Sequence, residues 1–277
     1  MNNLSVVIFT NEKGFGLAEL AVDYFKRYSK NLKINIVSNL IPDGYVFRHD
    51  DIQHHNMKVP YDSSGGHFGE SMLKYLKSID DEYIFFFCDD YFLVNDIKED
   101  DLNTLIDFIK CENIDYFGFD DMDVSFSQMD KVIYQSKCKH EHSNKFVVRN
   151  RDDRYLYSVQ PCIWKRETFM KVLDNGVSLH ALDETQQHIK DINGIVALAN
   201  DLPSHMTYRL QEEVNEMNYF ILSYTEIVRH GVFMIPENDE YRLEDEIQTQ
   251  VVRALCKDET INKKPFFKKL LYNLKLD

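Results

Sequence analysis

The chain has 277 residues, 44% of them hydrophobic, and a formal net charge of −14. That length and apolar share allow a sizeable core in one large or two small domains. The acidic balance excludes a general nucleic-acid binder, whose affinity comes mostly from Lys and Arg on phosphate.

Five cysteines show no CxxC spacing, which does not suggest a disulfide framework. Met1-Asn2-Asn3 runs straight into an apolar stretch without a signal-peptide pattern, so a reduced, cytoplasmic location is expected. No segment is long and apolar enough to span a membrane.

Leu4 to Thr10 is a β-branched run, followed by Gly14, Gly16 and a helical pattern through Leu17, Leu20, Ala21, Tyr24 and Phe25. Leu32 to Asn39 supplies a second strand, so the chain opens as a β-α-β unit with parallel strands. Both strands end on small polar residues, Thr10-Asn11 and Ser38-Asn39; such groups can bond a base and ribose, and they are also ordinary turn formers. The two glycines make no dinucleotide fingerprint, because the third glycine and the acidic end of the second strand are missing. A dehydrogenase is disfavoured.

The stretch from Ile41 to Ser64 reads as irregular, with His54-His55 lacking a ligand set around them. Phe68, Met72, Tyr75, Leu76 and Ile79 form one helical stripe. That helix leads into the chain's most apolar run, Tyr83 to Val94, expected as a third parallel strand with Asp89 and Asp90 at its carboxyl end. Ligands bind at that edge of open α/β sheets. Adjacent carboxylates repel unless compensated, and magnesium or manganese would compensate them while keeping positions for phosphate oxygens. The other reading is a pair that caps the next turn and faces water.

A helix is expected over Leu102 to Ile109 and strands over Tyr116 to Asp120, Lys131 to Tyr134 and Lys145 to Val148. His140 and His142 read as turn residues. Arg149, Arg151 and Arg154 form a basic cluster that either faces an anion or balances surface charge. After the only tryptophan, Trp164, a helix runs through Phe169, Met170 and Leu173. Asp183-Glu184 then opens another helical run, as favourable helix-dipole charge or as a general base. Tyr208 to Val228 shows a long amphipathic pattern that Gly231 would cap. Beyond an acidic link, Lys263 to Lys275 is basic and apolar, suited to peripheral contact with anionic lipid or to docking on this acidic chain.

Several segments together resemble a bacterial or viral GT-A-fold glycosyltransferase of the family 2 type: Ser5 to Asn11, Phe68 to Val94 ending Cys88-Asp89-Asp90, Gln160 to Lys165, and Tyr224 to Gly231. The resemblance covers residues 1 to about 235. It implies a Rossmann-like α/β fold with a mostly parallel sheet flanked by helices, nucleotide-sugar binding in 1–125, acceptor binding in 126–235, and a C-terminal extension over 236–277. It implies a hexosyl transfer from a nucleotide-diphospho-sugar to a glycan or lipid-linked acceptor, assisted by Mn2+ or Mg2+. The family's Asp-x-Asp motif aligns with Cys88-Asp89-Asp90, so its first acidic position is Cys88 and Asp90 takes the metal-contacting one. This implies Asp90 on the metal with help from elsewhere, the pair Asp89-Asp90 on it directly, or only weak use of metal. Thr10 and Ser38 match positions near the nucleotide, Ser38 standing where the family often has an acidic residue and Asn11 adjoining Thr10 as a further nucleotide contact. Asp183 or Glu184 is where the base of an inverting enzyme is expected. Two other functions fit the same residues: a nucleotidyl- or phosphotransferase, and a non-catalytic protein that binds nucleotide-sugar or glycan.

Overall fold

The computed structural model describes residues 3–12, 14–29, 32–62, 65–89, 91–93, 99–119, 146–148, 157, 159, 161–174, 178, 182, 194–197 and 221–223. Strand β1 (Leu4–Thr10) is buried along its whole length, as a strand with helices on both faces must be. Helix α1 (Phe15–Tyr28) presents Phe15, Ala18, Val22 and Phe25 as one buried stripe. Strand β2 (Ile34–Ser38) then pairs with β1 in parallel, Val6 opposite Ile34 and Thr10 opposite Ser38, which bears out the β-α-β opening.

One strand was not expected. Within the stretch read as irregular, β3 (Gln53–Asn56) adds to β2 in parallel, with Asn35 opposite Gln53. It is the sheet's edge, held by backbone bonds, and its Gln-His-His-Asn sequence carries no apolar alternation to betray it. Helix α2 (Gly66–Lys77) follows Gly65, whose φ of +80° lies in the left-handed region where glycine has no steric cost. Strand β4 (Tyr83–Cys88) pairs with β1, Leu4 opposite Tyr83 and Phe9 opposite Cys88. It is thus the fourth strand in sequence, not the third, and the apolar run ends in a turn at Asp89 before a separate short β5 (Tyr91–Leu93).

Helix α3 (Glu99–Cys111) buries Leu102, Leu105, Ile106 and Ile109 and leads to β6 (Tyr116–Gly118). Strands β7 (Phe146–Val148), β8 (Cys162–Lys165) and β9 (Gly194–Ala197) complete the main sheet, with α4 (Arg166–Leu173) following β8 directly. The order is β3-β2-β1-β4-β8-β6-β9-β7. Only β8 and β7 run against the rest, so the mostly parallel α/β sheet flanked by helices is as expected. A second sheet joins β5 to β10 (Ile221–Ser223), antiparallel, Ser223 opposite Tyr91. This corrects the helical expectation at 221–223: short apolar runs do not distinguish helix from strand, and pairing with β5 decides.

The core sits on both faces of β1 and β4. Val7, Phe9, Ile84 and Phe86 pack with Phe68, Met72 and Leu76 of α2, Trp164 of β8 and Phe169 of α4. On the opposite face Phe87 meets Phe25 of α1 edge to face at 4.7 Å between ring centroids. Among the described cysteines, Cys88 and Cys162 carry no disulfide. Cys111 is disulfide-bonded, a pairing that sequence spacing did not suggest. Expectations at 131–134, at His140 and His142, at Arg149, Arg151 and Arg154, and over 236–277 lie outside the described residues, as does most of Tyr208 to Val228.

Candidate functional site

Strands β2, β1 and β4 are neighbours that run in one direction, so their carboxyl ends share an edge. That register brings together Thr10, Ser38 and Asp89, three of the residues singled out from the sequence. The Thr10 hydroxyl donates to Asp89 Oδ2 over 2.6 Å. A hydroxyl has one proton; the same oxygen lies 3.2 Å from the Asn11 carbonyl, and the shorter, charge-assisted contact takes it.

The loop leaving β1 is built around that pair. The Gly14 amide donates to the Asn11 carbonyl over 2.9 Å, and the Gly14 carbonyl accepts from the Ala18 amide over 3.0 Å, which starts α1. Gly14 caps α1 with φ −92° and ψ 0°, and no side chain caps the helix there. A Cβ added at Gly14 would collide with Asp89 Oδ2 and Thr10 Oγ1. The Asp89 carboxylate therefore lies against the first turn of α1, where the helix dipole favours negative charge.

Asn39, one residue beyond β2, ties this edge shut. Its Oδ1 accepts from the Glu12 amide at 3.0 Å, its Nδ2 donates to Glu12 Oε2 and to the Val59 carbonyl, both at 3.2 Å, and its own carbonyl accepts from the Val59 amide. Ser38 is 1% exposed, and its hydroxyl has no partner among the described residues. Its neighbour Asn39 spends its side chain within the fold rather than on a ligand. Asn11 is part-buried in the turn. Cys88, in the first position of the Asp-x-Asp alignment, directs its thiol to the Val159 carbonyl at 3.8 Å.

Sequence reasoning missed Gly14, Glu12 and Asn39 as builders of the site. Two signals pointed there: a glycine three residues after a strand-end asparagine, and an asparagine following a strand-end serine. Asp90, Asp183 and Glu184 lie outside the described residues. Among the described residues no group of three or more His, Cys, Asp or Glu could hold a metal ion, and no helix is long and apolar enough to cross a membrane.

Away from the edge, the paired histidines are committed within the fold. His54 Nε2 bonds the His49 carbonyl at 3.2 Å, and His55 Nε2 meets Asn35 Oδ1 at 3.1 Å. Burial holds both imidazoles below the ordinary histidine range.

No family model and no curated protein matches the chain. Among solved structures it is similar to S. aureus TarS 1-349 in complex with UDP-GlcNAc, at 13% identity and a TM-score of 0.44, covering 98% of this chain and 80% of that one. It is also similar to the mannosyltransferase PcManGT from Pyrobaculum calidifontis in complex with GDP-Man and Mn2+, at 11% identity and a TM-score of 0.43, covering 99% and 69%. A third is WbbM, a bifunctional glycosyltransferase, at 11% identity and a TM-score of 0.43, covering 99% and 52%. Their TM-scores are below 0.5, and the chemistry is argued from this chain's own residues.

Proposed function

We propose that this protein is a glycosyltransferase that moves a sugar from a nucleotide-diphospho-sugar to a hydroxyl of a glycan or lipid-linked acceptor. The observation that carries the proposal is the Asp89 carboxylate, held by Thr10 at the carboxyl edge of the parallel strands and seated against the first turn of α1. A strand-end carboxylate beside a helix N-terminus suits a diphosphate with a bridging cation: the helix end favours the phosphate charge and the carboxylate favours the ion.

The residues fit a hard divalent ion. Asp89 and Asp90 would hold it through oxygen, with donor phosphates and water filling the remaining positions, as manganese and magnesium accept. Bound there, the ion acts as a Lewis acid that neutralises charge on the departing diphosphate.

The remaining work falls to the chain's side chains. The acceptor oxygen forms a bond to the anomeric carbon as the bond from that carbon to the diphosphate oxygen breaks, and the nucleoside diphosphate leaves. If the transfer inverts the anomeric carbon, Asp183 or Glu184 takes the acceptor's proton. Asn11 on the β1–α1 turn and Ser38 at the end of β2 border the nucleotide.

The test is transfer and donor hydrolysis by wild type, Asp89→Asn and Asp90→Asn across a panel of nucleotide-sugars. Both variants should fold and lose turnover by a factor of about 100 or more, as expected when charge stabilisation of a leaving group is removed. Wild-type turnover by both variants would overturn the assignment. Release of pyrophosphate from a nucleoside triphosphate and a sugar phosphate would replace the reaction with nucleotidyl transfer.

A further inference from the structure

We infer that Thr10 and Gly14 are positioning residues that set the Asp89 carboxylate for the cation, and that Thr10 is not a nucleotide contact. This deepens the proposed function and rests on its placing of the ion at Asp89. Two observations carry it. The Thr10 hydroxyl proton is committed to Asp89 Oδ2 at 2.6 Å, from a side chain that is 1% exposed at the end of an internal strand. A threonine so enclosed has few rotamers open to it, so it fixes the plane of the carboxylate it bonds.

The second observation is the space at Gly14. Its φ of −92° and ψ of 0° fall in the bridge region, which residues other than glycine also adopt, so glycine is not required by the backbone there. It is required by the Asp89 carboxylate, which fills the position a Cβ would take, beside Thr10 Oγ1. Thr10 bonds Oδ2 of the carboxylate, and Gly14 leaves the space beside that bond open. Groups that orient a metal ligand in this way commonly change metal affinity about 10- to 100-fold when altered.

The consequences for variants differ by mechanism. Thr10→Val keeps the shape and removes the donor. Thr10→Ser keeps the donor. Gly14→Ala keeps the chemistry of both partners and crowds Asp89 Oδ2 and Thr10 Oγ1, displacing the bonded pair.

The experiment measures manganese affinity by the loss of free-ion signal in electron paramagnetic resonance, alone and with UDP, GDP, ADP or CDP. Nucleotide affinity is measured separately in EDTA, and circular dichroism checks the fold. We expect Asp89→Asn to abolish manganese binding, Thr10→Val and Gly14→Ala to weaken it roughly tenfold or more, and Thr10→Ser to restore it, with nucleotide affinity in EDTA unchanged throughout. Wild-type manganese affinity in folded Thr10→Val, beside loss in Asp89→Asn, would overturn the positioning role and leave the metal reading standing. Weaker nucleotide binding by Thr10→Val in EDTA would make Thr10 a nucleotide contact and overturn the inference. No manganese binding by wild type in any mixture would instead sink the metal reading on which the inference rests.

Discussion

The Glu19 carboxylate, buried on α1, accepts from both the backbone and the side chain of Arg48: Oε1 from the Arg48 amide at 2.6 Å and Oε2 from Nε at 3.3 Å. Tyr45 also donates its hydroxyl to Oε2 at 2.9 Å, and its own ionisation is pushed up by burial and by that carboxylate. Asp23, one turn along, takes Arg48 and His49 at 3.2 and 2.9 Å. One buried acid thus ties the segment between β2 and β3 to α1. Glu19→Ala would leave the Arg48 amide and the Tyr45 hydroxyl short of an acceptor, at a cost of about 2 kcal/mol. For a domain of this size that lowers Tm by about 4–8 °C. Limited proteolysis should then cut between Leu40 and Ile52 first, and unchanged cleavage and Tm would contradict the clasp.

The paired histidines make stability fall with acid. His54 lies against Phe47 with ring centroids 3.5 Å apart and planes tilted by 30°, and burial lowers the affinity of both His54 and His55 for a proton. The unfolded chain takes up protons as pH drops through about 6.5, while the native imidazoles do so only at lower pH. This contribution is therefore present above about pH 6.5 and is lost as pH falls below it. Urea midpoints should decline between pH 7.5 and 5.5, and the decline should be shallower in His55→Gln. Equal slopes in the two proteins would contradict the assignment.

Trp164 anchors the strand beside β4. It stacks on Phe169 with centroids 4.9 Å apart and planes 6° from parallel, and it meets Tyr116 at 4.7 Å. It is fully buried, and its indole N–H has no partner among the described residues. Trp164→Ala should cost about 3–5 kcal/mol, measured by chemical denaturation. Trp164→Phe should cost clearly less, since it keeps the stack and removes an orphaned donor. Equal losses would show that the indole, and not the ring stack, is what the core needs.

Much of the fold could be read from periodicity. The β1-α1-β2 opening, the α2 stripe from Phe68 to Leu76 and the burial of Tyr83 to Phe87 all follow from apolar spacing, because those elements bury large areas. Strand β3 could not, since an edge strand of Gln, His, His and Asn is held by its backbone. Nor could Ile221 to Ser223, whose strand conformation depends on β5, about 130 residues earlier. At the site, Asp89 was visible as the acid ending an apolar strand. Its bond to Thr10, 79 positions away, depends on the parallel register of β1 and β4, which no local pattern encodes. Asn39, which the sequence left as either a base-bonding or a turn-forming residue, serves as a clasp to Glu12 and Val59, contacts that only the fold brings together.

The most direct test of the central claim, a nucleotide-sugar site at the carboxyl edge of β1 and β4, is a thermal-shift screen with nucleoside diphosphates and nucleotide-sugars. Each ligand is run with and without manganese, on wild type and Asp89→Asn. A donor at a hundredfold excess over its dissociation constant adds about 2.7 kcal/mol to the native state, so the account predicts a manganese-dependent rise in Tm with one nucleotide family, lost in Asp89→Asn. No shift with any ligand, or an equal shift in the variant, would contradict it.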